Sequence, residues 1–253
     1  MEHIERDEHG KVRSKVQMEG GKLHGEVLSY DEEERLTHRA RYADGVLDGE
    51  SVTLDPASGR EVERAVFRGG VLDGETVLLD EAGRISQRVR FLKGQLHGET
   101  QIYLDGKLRS RITFANGKQT GPFIAYDEEG NEVTLSQYRA GKLEGESVWL
   151  DKKGKPLRVA TYRANKLHGE VIEYHLSGAV RERAVYRSGK KEGECLTYYE
   201  SGKVKTRAYF IESEMRGDLV EYDEEGNVKP PEDKASKKGS LLSRVASRLG
   251  GGG

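Results

Sequence analysis

Three histidines, His24, His97 and His168, stand at the same place in a recurring phrase of the type "YRANKLHGE" (162–170), and a metal site is the chemistry that three imidazoles suggest. Their spacing argues against it. They lie about three repeats apart, and a repeat of two strands puts neighbours roughly 29 Å from each other, whereas zinc ligands must converge within a few ångströms. They read as exposed turn residues. A column of carboxylates, Glu26, Glu50, Glu75, Glu99, Glu146, Glu170 and Glu194 with Asp218, has the residue type for paired acid–base hydrolysis. A column present in nearly every unit is better explained by the unit itself, as the start of a strand paired with nearby lysines or backbone donors. Cys195 sits on an expected strand with no histidine in a matching position, so a thiol nucleophile is not expected. "GKLHG" lacks the Gly-Lys-Ser/Thr ending and following helix of a phosphate loop. No catalytic residue, cofactor or metal is expected, and the chain does not read as an enzyme.

Binding chemistry is more plausible. Three residues before a recurring aromatic stand Lys15, Arg39, Arg64, Arg88, Arg111, Arg183 and Arg207, interrupted only by Leu135 and Val159. Alternation places this column on the face opposite a Tyr/Leu stripe. Cations about 10 Å apart can grip an acidic protein surface. Alternatively, arginine stems cover a bare sheet while their heads stay wet. Nucleic acid is not expected, because Glu-rich loops would repel phosphate and base-stacking aromatics are not interleaved with the arginines. At the interruption the same face is expected to carry Phe123, Leu135, Trp149, Leu157 and Val159. Such an apolar patch flanked by arginines is either a protein-binding hot spot or a locally thicker packing layer.

These columns need a scaffold, and the spacing supplies one. The second glycine of each "GxLxG" recurs at Gly25, Gly49, Gly74, Gly98, Gly121, Gly145, Gly169, Gly193 and Gly217, every 23 to 25 residues. After each comes a period-2 run such as "ESVWLD", then a turn such as "DEEG", then a second strand closing on an aromatic. "DEEG" fits a three-residue hairpin loop with glycine at positive φ. "GKxxG" reads as a turn that uses both its glycines. The expected fold is all-β: nine tandem hairpin repeats of about 24 residues, stacked into one elongated, twisted antiparallel sheet of about 18 strands. Positions one, three and five after the anchor glycine are expected to share a face with the closing aromatic and the small residue two before it.

Composition agrees. Of 253 residues, 34% are hydrophobic and 34% charged, a thin supply for a globular core but enough for a shallow sheet. The net charge of −2 names no partner. One cysteine permits no intrachain disulfide, which fits a reducing compartment. "MEHIERDEHG" has no apolar h-region, and no run of 18 apolar residues exists, so neither signal peptide nor membrane span is expected and the location reads as cytoplasmic.

Three regions follow: a repeat array at 1–228, a Pro/Lys-rich linker at 229–239, and a short amphipathic segment with a Gly tail at 240–253. Leu241, Leu242, Val245 and Leu249 fall on one helical stripe, beside Arg244 and Arg248. Nine residues are too few for an isolated helix. The segment is expected to dock on the last hairpin, on a partner protein or, less favourably, on an anionic membrane surface.

The pattern of aromatic, "GKLHGE", Tyr and "ESGK" resembles the MORN-type repeat, especially the bacterial variant of YwqK-type antitoxins, over about residues 8 to 228. The resemblance implies a non-catalytic binding protein whose partner is a toxin, or a scaffold or membrane-associated adaptor of the kind other MORN arrays form. Asn165 and Ser213 depart from it at the first glycine, Pro122 at the Glu, and Gln119 and Lys191 at the Leu.

Overall fold

Two kinds of turn, each dictated by a short sequence signal, set the geometry of the whole sheet. In "RAGK", Arg139 pairs with Lys142 and leaves a two-residue loop of Ala140 (φ 50°) and Gly141 (φ 82°). Two successive positive φ values are the type I′ geometry, whose twist matches the flanking strands. Asn165 (φ 69°) and Ser213 (φ 71°) take the same conformation where glycine is missing. Their side chains contribute in return: Asn165 Oδ1 accepts from the Leu143 N–H at 2.7 Å and Ser213 Oγ from the Lys191 N–H at 2.9 Å.

The second turn is the "DEEG" loop. The Asp127 N–H donates to Asn131 O (3.0 Å) and the Gly130 N–H to Asp127 O (3.2 Å), a tight three-residue loop with Gly130 at φ 88°. Asp127 Oδ1 accepts the N–H groups of Glu129 and Asn131, holding the loop from inside. The one-residue changes in repeat length occur here: the loop shrinks to Asp105–Gly106 in one repeat and lengthens to Pro56–Gly59 in another.

The computed structural model describes residues 1–230, and over them every strand is antiparallel in one open, uncurled sheet. Nineteen strands pair with their sequence neighbours, two of them broken by one residue, into Val71–Leu72 and Gly74–Leu79, and into Gln95–Leu96 and Gly98–Leu104. At about 4.8 Å per strand the row is roughly 85 Å across. The strand beyond the eighteen expected is Glu2–Arg6, a half-repeat that pairs with Val12–Glu19 and lacks the anchor glycine. Glu214–Glu221, the last strand, is of the same first-of-hairpin kind. Most of the linker and all of the segment 240–253 lie outside the described residues.

The anchor glycine is not a turn residue, contrary to the sequence reading. Ser136 pairs with Ser147 but Tyr138 pairs with Leu143, so Lys142–Leu150 bulges around Gly145, which itself sits opposite Tyr162 of the next repeat. The same glycine–aromatic pairing recurs from Gly25–Tyr42 to Gly193–Phe210.

The face assignment is also corrected. At each Asp-type loop the register slips by one: Trp149 pairs with Arg158, yet Leu150 pairs with Pro156. A one-residue slip turns every later side chain to the other face. The closing aromatic and the small residue therefore share a face with positions two and four after the anchor. The arginine column shares the other face with positions one, three and five.

The core follows directly. Of the fifteen buried residues, fourteen lie in one lateral row on the first face, among them Ala40, Ser51, Ala65, Ser147, Ala160, Val171, Ala184 and Cys195; Val52 is the exception. Direct pairs such as Ser147↔Ala160↔Val171↔Ala184↔Cys195 make the row continuous. It is one residue wide, roofed by half-buried aromatics and leucines such as Tyr138 and Leu143.

Gly74 combines φ 141° with a site where a Cβ would lie 2.8 Å from Val66 Cβ. Gly74→Ala is expected to lower stability by about 1–3 kcal/mol in urea denaturation, with Ala82→Gly in the neighbouring loop nearly neutral. Loop carboxylates give a pH test. Hydrogen bonds from the Arg84 N–H to Asp80, the Asn131 side chain to Asp127 and the Lys155 N–H to Asp151 hold these carboxyls below their ordinary range. Folded values below unfolded ones stabilise fully above the ordinary range and are lost as pH falls through the folded values. The urea midpoint should therefore drop between about pH 5 and pH 2, and Asp127→Asn should flatten part of that drop.

Candidate functional site

The arginine column occupies one row across the sheet, and direct pairing shows that arginine alternates there with an aliphatic residue: Leu28–Arg39–Val52–Arg64–Val77–Arg88 on one flank and Arg183–Leu196–Arg207–Val220 on the other. The glutamate column stands on the same face, and the two are partners. Arg88 Nη1 lies 2.6 Å from Glu75, Arg111 Nη2 2.6 Å from Glu99 and Arg64 Nε 3.5 Å from Glu50, while Arg183 and Arg207 hold Glu170 and Glu194. The Arg111 hydrogen bond holds the Glu99 carboxyl below its ordinary value, and Glu99 raises Arg111 in turn. These pairs are open to solvent, which screens them, so each adds little to stability. Their stems have a second effect: Val52, between Arg39 and Arg64, is only 1% exposed.

The interruption divides the sequence-derived patch. Leu135 and Val159 lie in the arginine row. Phe123 pairs with Ser136 and Trp149 with Arg158, which places both on the opposite face. Phe123 stacks edge-on to Tyr138 at 6.3 Å, and the Arg158 guanidinium sits 5.3 Å from the Trp149 ring centre. The Phe123–Trp149 and Leu135–Val159 pairs thus belong to different surfaces. Counting past the one-residue slip reveals what sequence reasoning missed: Leu135 and Val159 are joined by Ile124, Val148 and Ile172 in an unbroken row, Ile124↔Leu135↔Val148↔Val159↔Ile172. All five are partly exposed.

The histidine column has a local role. Asp48 Oδ2, Asp73 Oδ2, Glu144 Oε2 and Glu192 Oε2 accept the N–H of the first turn residue one repeat on, Gly69, Lys93, Ala164 and Glu212. His168 Nδ1 faces the Ser188 N–H in the same way at 3.4 Å. His97 and His24 do not repeat this contact: His97 Nδ1 has no partner among the described residues, and His24 Nε2 lies 3.3 Å from Glu19. Among the described residues no group of three or more His, Cys, Asp or Glu is arranged to hold a metal ion.

Lys191 replaces the usual leucine and brings chemistry of its own. Its Nζ lies 2.9 Å from Glu182 Oε1 and 3.5 Å from Cys195 Sγ, and 5.9 and 5.2 Å from the ring centres of Tyr186 and Phe210. Burial opposes its charge, but Glu182 outweighs it and the ammonium is pushed up to about 12. Burial pushes the Cys195 thiol up, away from the thiolate that a nucleophile needs.

The period, the glycine–aromatic pairing and the single-layer sheet define a tandem β-hairpin repeat protein. A family model described as MORN repeat variant matches residues 191–212, and the chain carries MORN-type repeats. No curated protein matches it. Among solved structures it is similar to the crystal structure of TcdB2-TccC3-TEV at 11% identity, with a TM-score of 0.23, over 92% of this chain and 15% of that chain.

Replacing a buried charged residue with an apolar one of similar volume is often neutral or stabilising, whereas removing one partner of a pair is costly. The double replacement Lys191→Leu with Glu182→Gln is expected to leave the thermal midpoint unchanged or raised. Lys191→Ala, which strands Glu182, should lower it.

Proposed function

We propose that this chain is a non-catalytic protein-binding array and that its partner is a toxin, which it neutralises or chaperones in the cytoplasm. The observation that carries the binding role is the use to which side chains are put. Core, turns and ion pairs account for the columns that recur, and the titratable groups that cluster, such as Lys191, Glu182 and Cys195, are tuned away from reactivity. What remains distinctive is a break in the repeat's own pattern on an open face, the five aliphatics from Ile124 to Ile172. MORN-type repeats serve binding or scaffolding roles, and they are non-catalytic as a rule. The toxin as partner rests on the resemblance to YwqK-type antitoxins. A scaffold role is the second reading, favoured by a sheet roughly 85 Å across that leaves both faces open.

Co-expression tests the two against each other. A gene adjacent to this one is expected to encode a toxin domain whose expression arrests growth, with arrest relieved by this chain. Relief should weaken with Val148→Asp, in the open row, and persist with Ser177→Asp in an exposed loop. A neighbouring toxin that arrests growth equally with and without the chain would sink the antitoxin reading and leave the scaffold one.

A further inference from the structure

A second departure from the repeat coincides with the first. At the type I′ turns, the residues flanking the loop pair directly across the hairpin. In most repeats these pairs are mixed, as in Ala43↔Val46, Arg68↔Val71, Leu92↔Gln95 and Ile211↔Glu214. In three consecutive repeats both members are cations: Arg139↔Lys142, Arg163↔Lys166 and Arg187↔Lys190. All six are exposed, and among the described residues only Lys190 has a carboxylate partner, Glu212 at 3.2 Å. Like charges directly opposite each other destabilise a ladder, and nothing in the stacking of hairpins requires them.

These cations share a face with the aliphatic row. Arg139 follows Leu135 by four residues and Arg163 follows Val159 by four, an even number, so each points to the same side at about 13 Å along its strand. On the row's other flank a loop that reads Asp127-Glu128-Glu129-Gly130 one repeat earlier reads Asp151-Lys152-Lys153-Gly154-Lys155, with Lys152 Nζ 3.3 Å from Glu129. The charge is regional. Residues 131–190 hold 12 Lys and Arg against 7 Asp and Glu, while 1–130 hold 19 against 25 and 191–230 hold 6 against 10. Residues 231–253 add 5 against 2, so the near-neutral total conceals a basic centre between two acidic flanks of the array.

Both departures weaken the array's own consistency and fall in the same repeats, the pattern expected where a surface is shaped for something other than folding. We propose that the face carrying Ile124, Leu135, Val148, Val159 and Ile172 binds an acidic protein segment with an apolar stripe. The inference rests on the protein-binding role above and specifies the partner's chemistry. Five strands span about 19 Å, the length of roughly 13 residues of helix. Leucine-type side chains along that stripe would cover the row, and glutamates on its margin would meet Arg139 and Arg163. Glu146 is the carboxylate that stands between row and turn margin, and no arginine faces it, because Leu135 and Val159 replace the arginines that flank other members of its column.

The probe is a labelled 14-residue helical peptide with one leucine stripe bordered by glutamates, titrated into the full chain by fluorescence anisotropy. Comparison probes are the same residues scrambled, a lysine-for-glutamate version, a DNA duplex and phosphatidylserine vesicles. Binding of the acidic amphipathic peptide at least about tenfold tighter than the scrambled and lysine peptides is expected, weakening as salt rises. Arg163→Glu and, separately, Val148→Ser should each weaken it by about tenfold, Glu146→Gln should strengthen it, and Arg60→Glu at a distant loop should leave it unchanged. Circular dichroism of each variant confirms that the sheet persists. Equal binding of the scrambled peptide would reduce the site to charge alone and overturn the proposal. Tighter binding of DNA or vesicles would assign the margin to phosphate, and dimers of the chain that Arg163→Glu dissociates would assign it to a second copy. Failure of every probe would also overturn it. None of these outcomes touches growth rescue, so the proposal and the antitoxin reading fail separately.

Discussion

Among the described residues nothing packs on either face of the sheet, so a side chain can be buried only beneath its own cross-strand neighbours. That limit decides the size of almost every inward residue here. A lateral row flanked by rings and leucines has room for Ala, Ser, Thr, Val or Cys, and those are the residues found from Val16 to Ala208, with Ile112 and Phe123 as the large members. The other face solves the same problem with length instead of smallness: arginine stems lie over Val52 and its equivalents, and glutamates fix the guanidinium ends. The two solutions sit back to back on the same strands. Hydrophobic stabilisation is thus spread thinly and evenly, so each hairpin depends on the next and no local unit can carry the fold alone.

The same limit separates structural columns from functional ones. Conspicuous chemistry in a repeat is usually chemistry of the repeat. The histidine position, where Asp48, Asp73, Glu144, His168 or Glu192 fills it, is an acceptor for a turn N–H, the glutamate position a partner for arginine, and the aspartates at loop starts are internal braces. Functional information lies in departures from the columns. Some departures are compensated nearby, as Asn165 and Ser213 are by their own side-chain hydrogen bonds and Lys191 is by Glu182. Among the described residues, the row from Ile124 to Ile172 and the doubled cations at its margin, Lys190 with Glu212 excepted, have no such compensation.

Much of this was legible from spacing alone. The period, the three-residue loops, the positive-φ glycines within them and the places where length varies all follow from local rules that do not depend on the rest of the chain. The faces were not legible by simple alternation. Counting from Trp149 through Asp151–Lys155 to Arg158 requires knowing that the loop ends in a one-residue slip, and missing that single residue moved Arg39 to Arg207 to the wrong side and joined Phe123 and Trp149 to Leu135 and Val159. The first strand, Glu2–Arg6, was hidden for another reason: it carries only half a unit, with the loop glycine Gly10 but no anchor glycine. The anchor glycine was misread because positive φ is shared by turns and bulges, and only the pairing partner distinguishes them.

Over residues 1–230 the sheet has an odd number of strands, nineteen, and its first and last are of the same kind. Antiparallel order makes the first and last strands point the same way. A second copy added end to end in the same orientation would therefore set two parallel strands side by side, a ladder the molecule uses nowhere. Turning the copy over to restore antiparallel order would exchange its faces, bringing the row of arginines into line with the row of alanines and serines. Open edges invite fibres in most single-layer sheets. Here parity discourages head-to-tail growth, whereas a two-fold axis normal to the sheet, which sets like edges together, keeps both the antiparallel order and the faces in line.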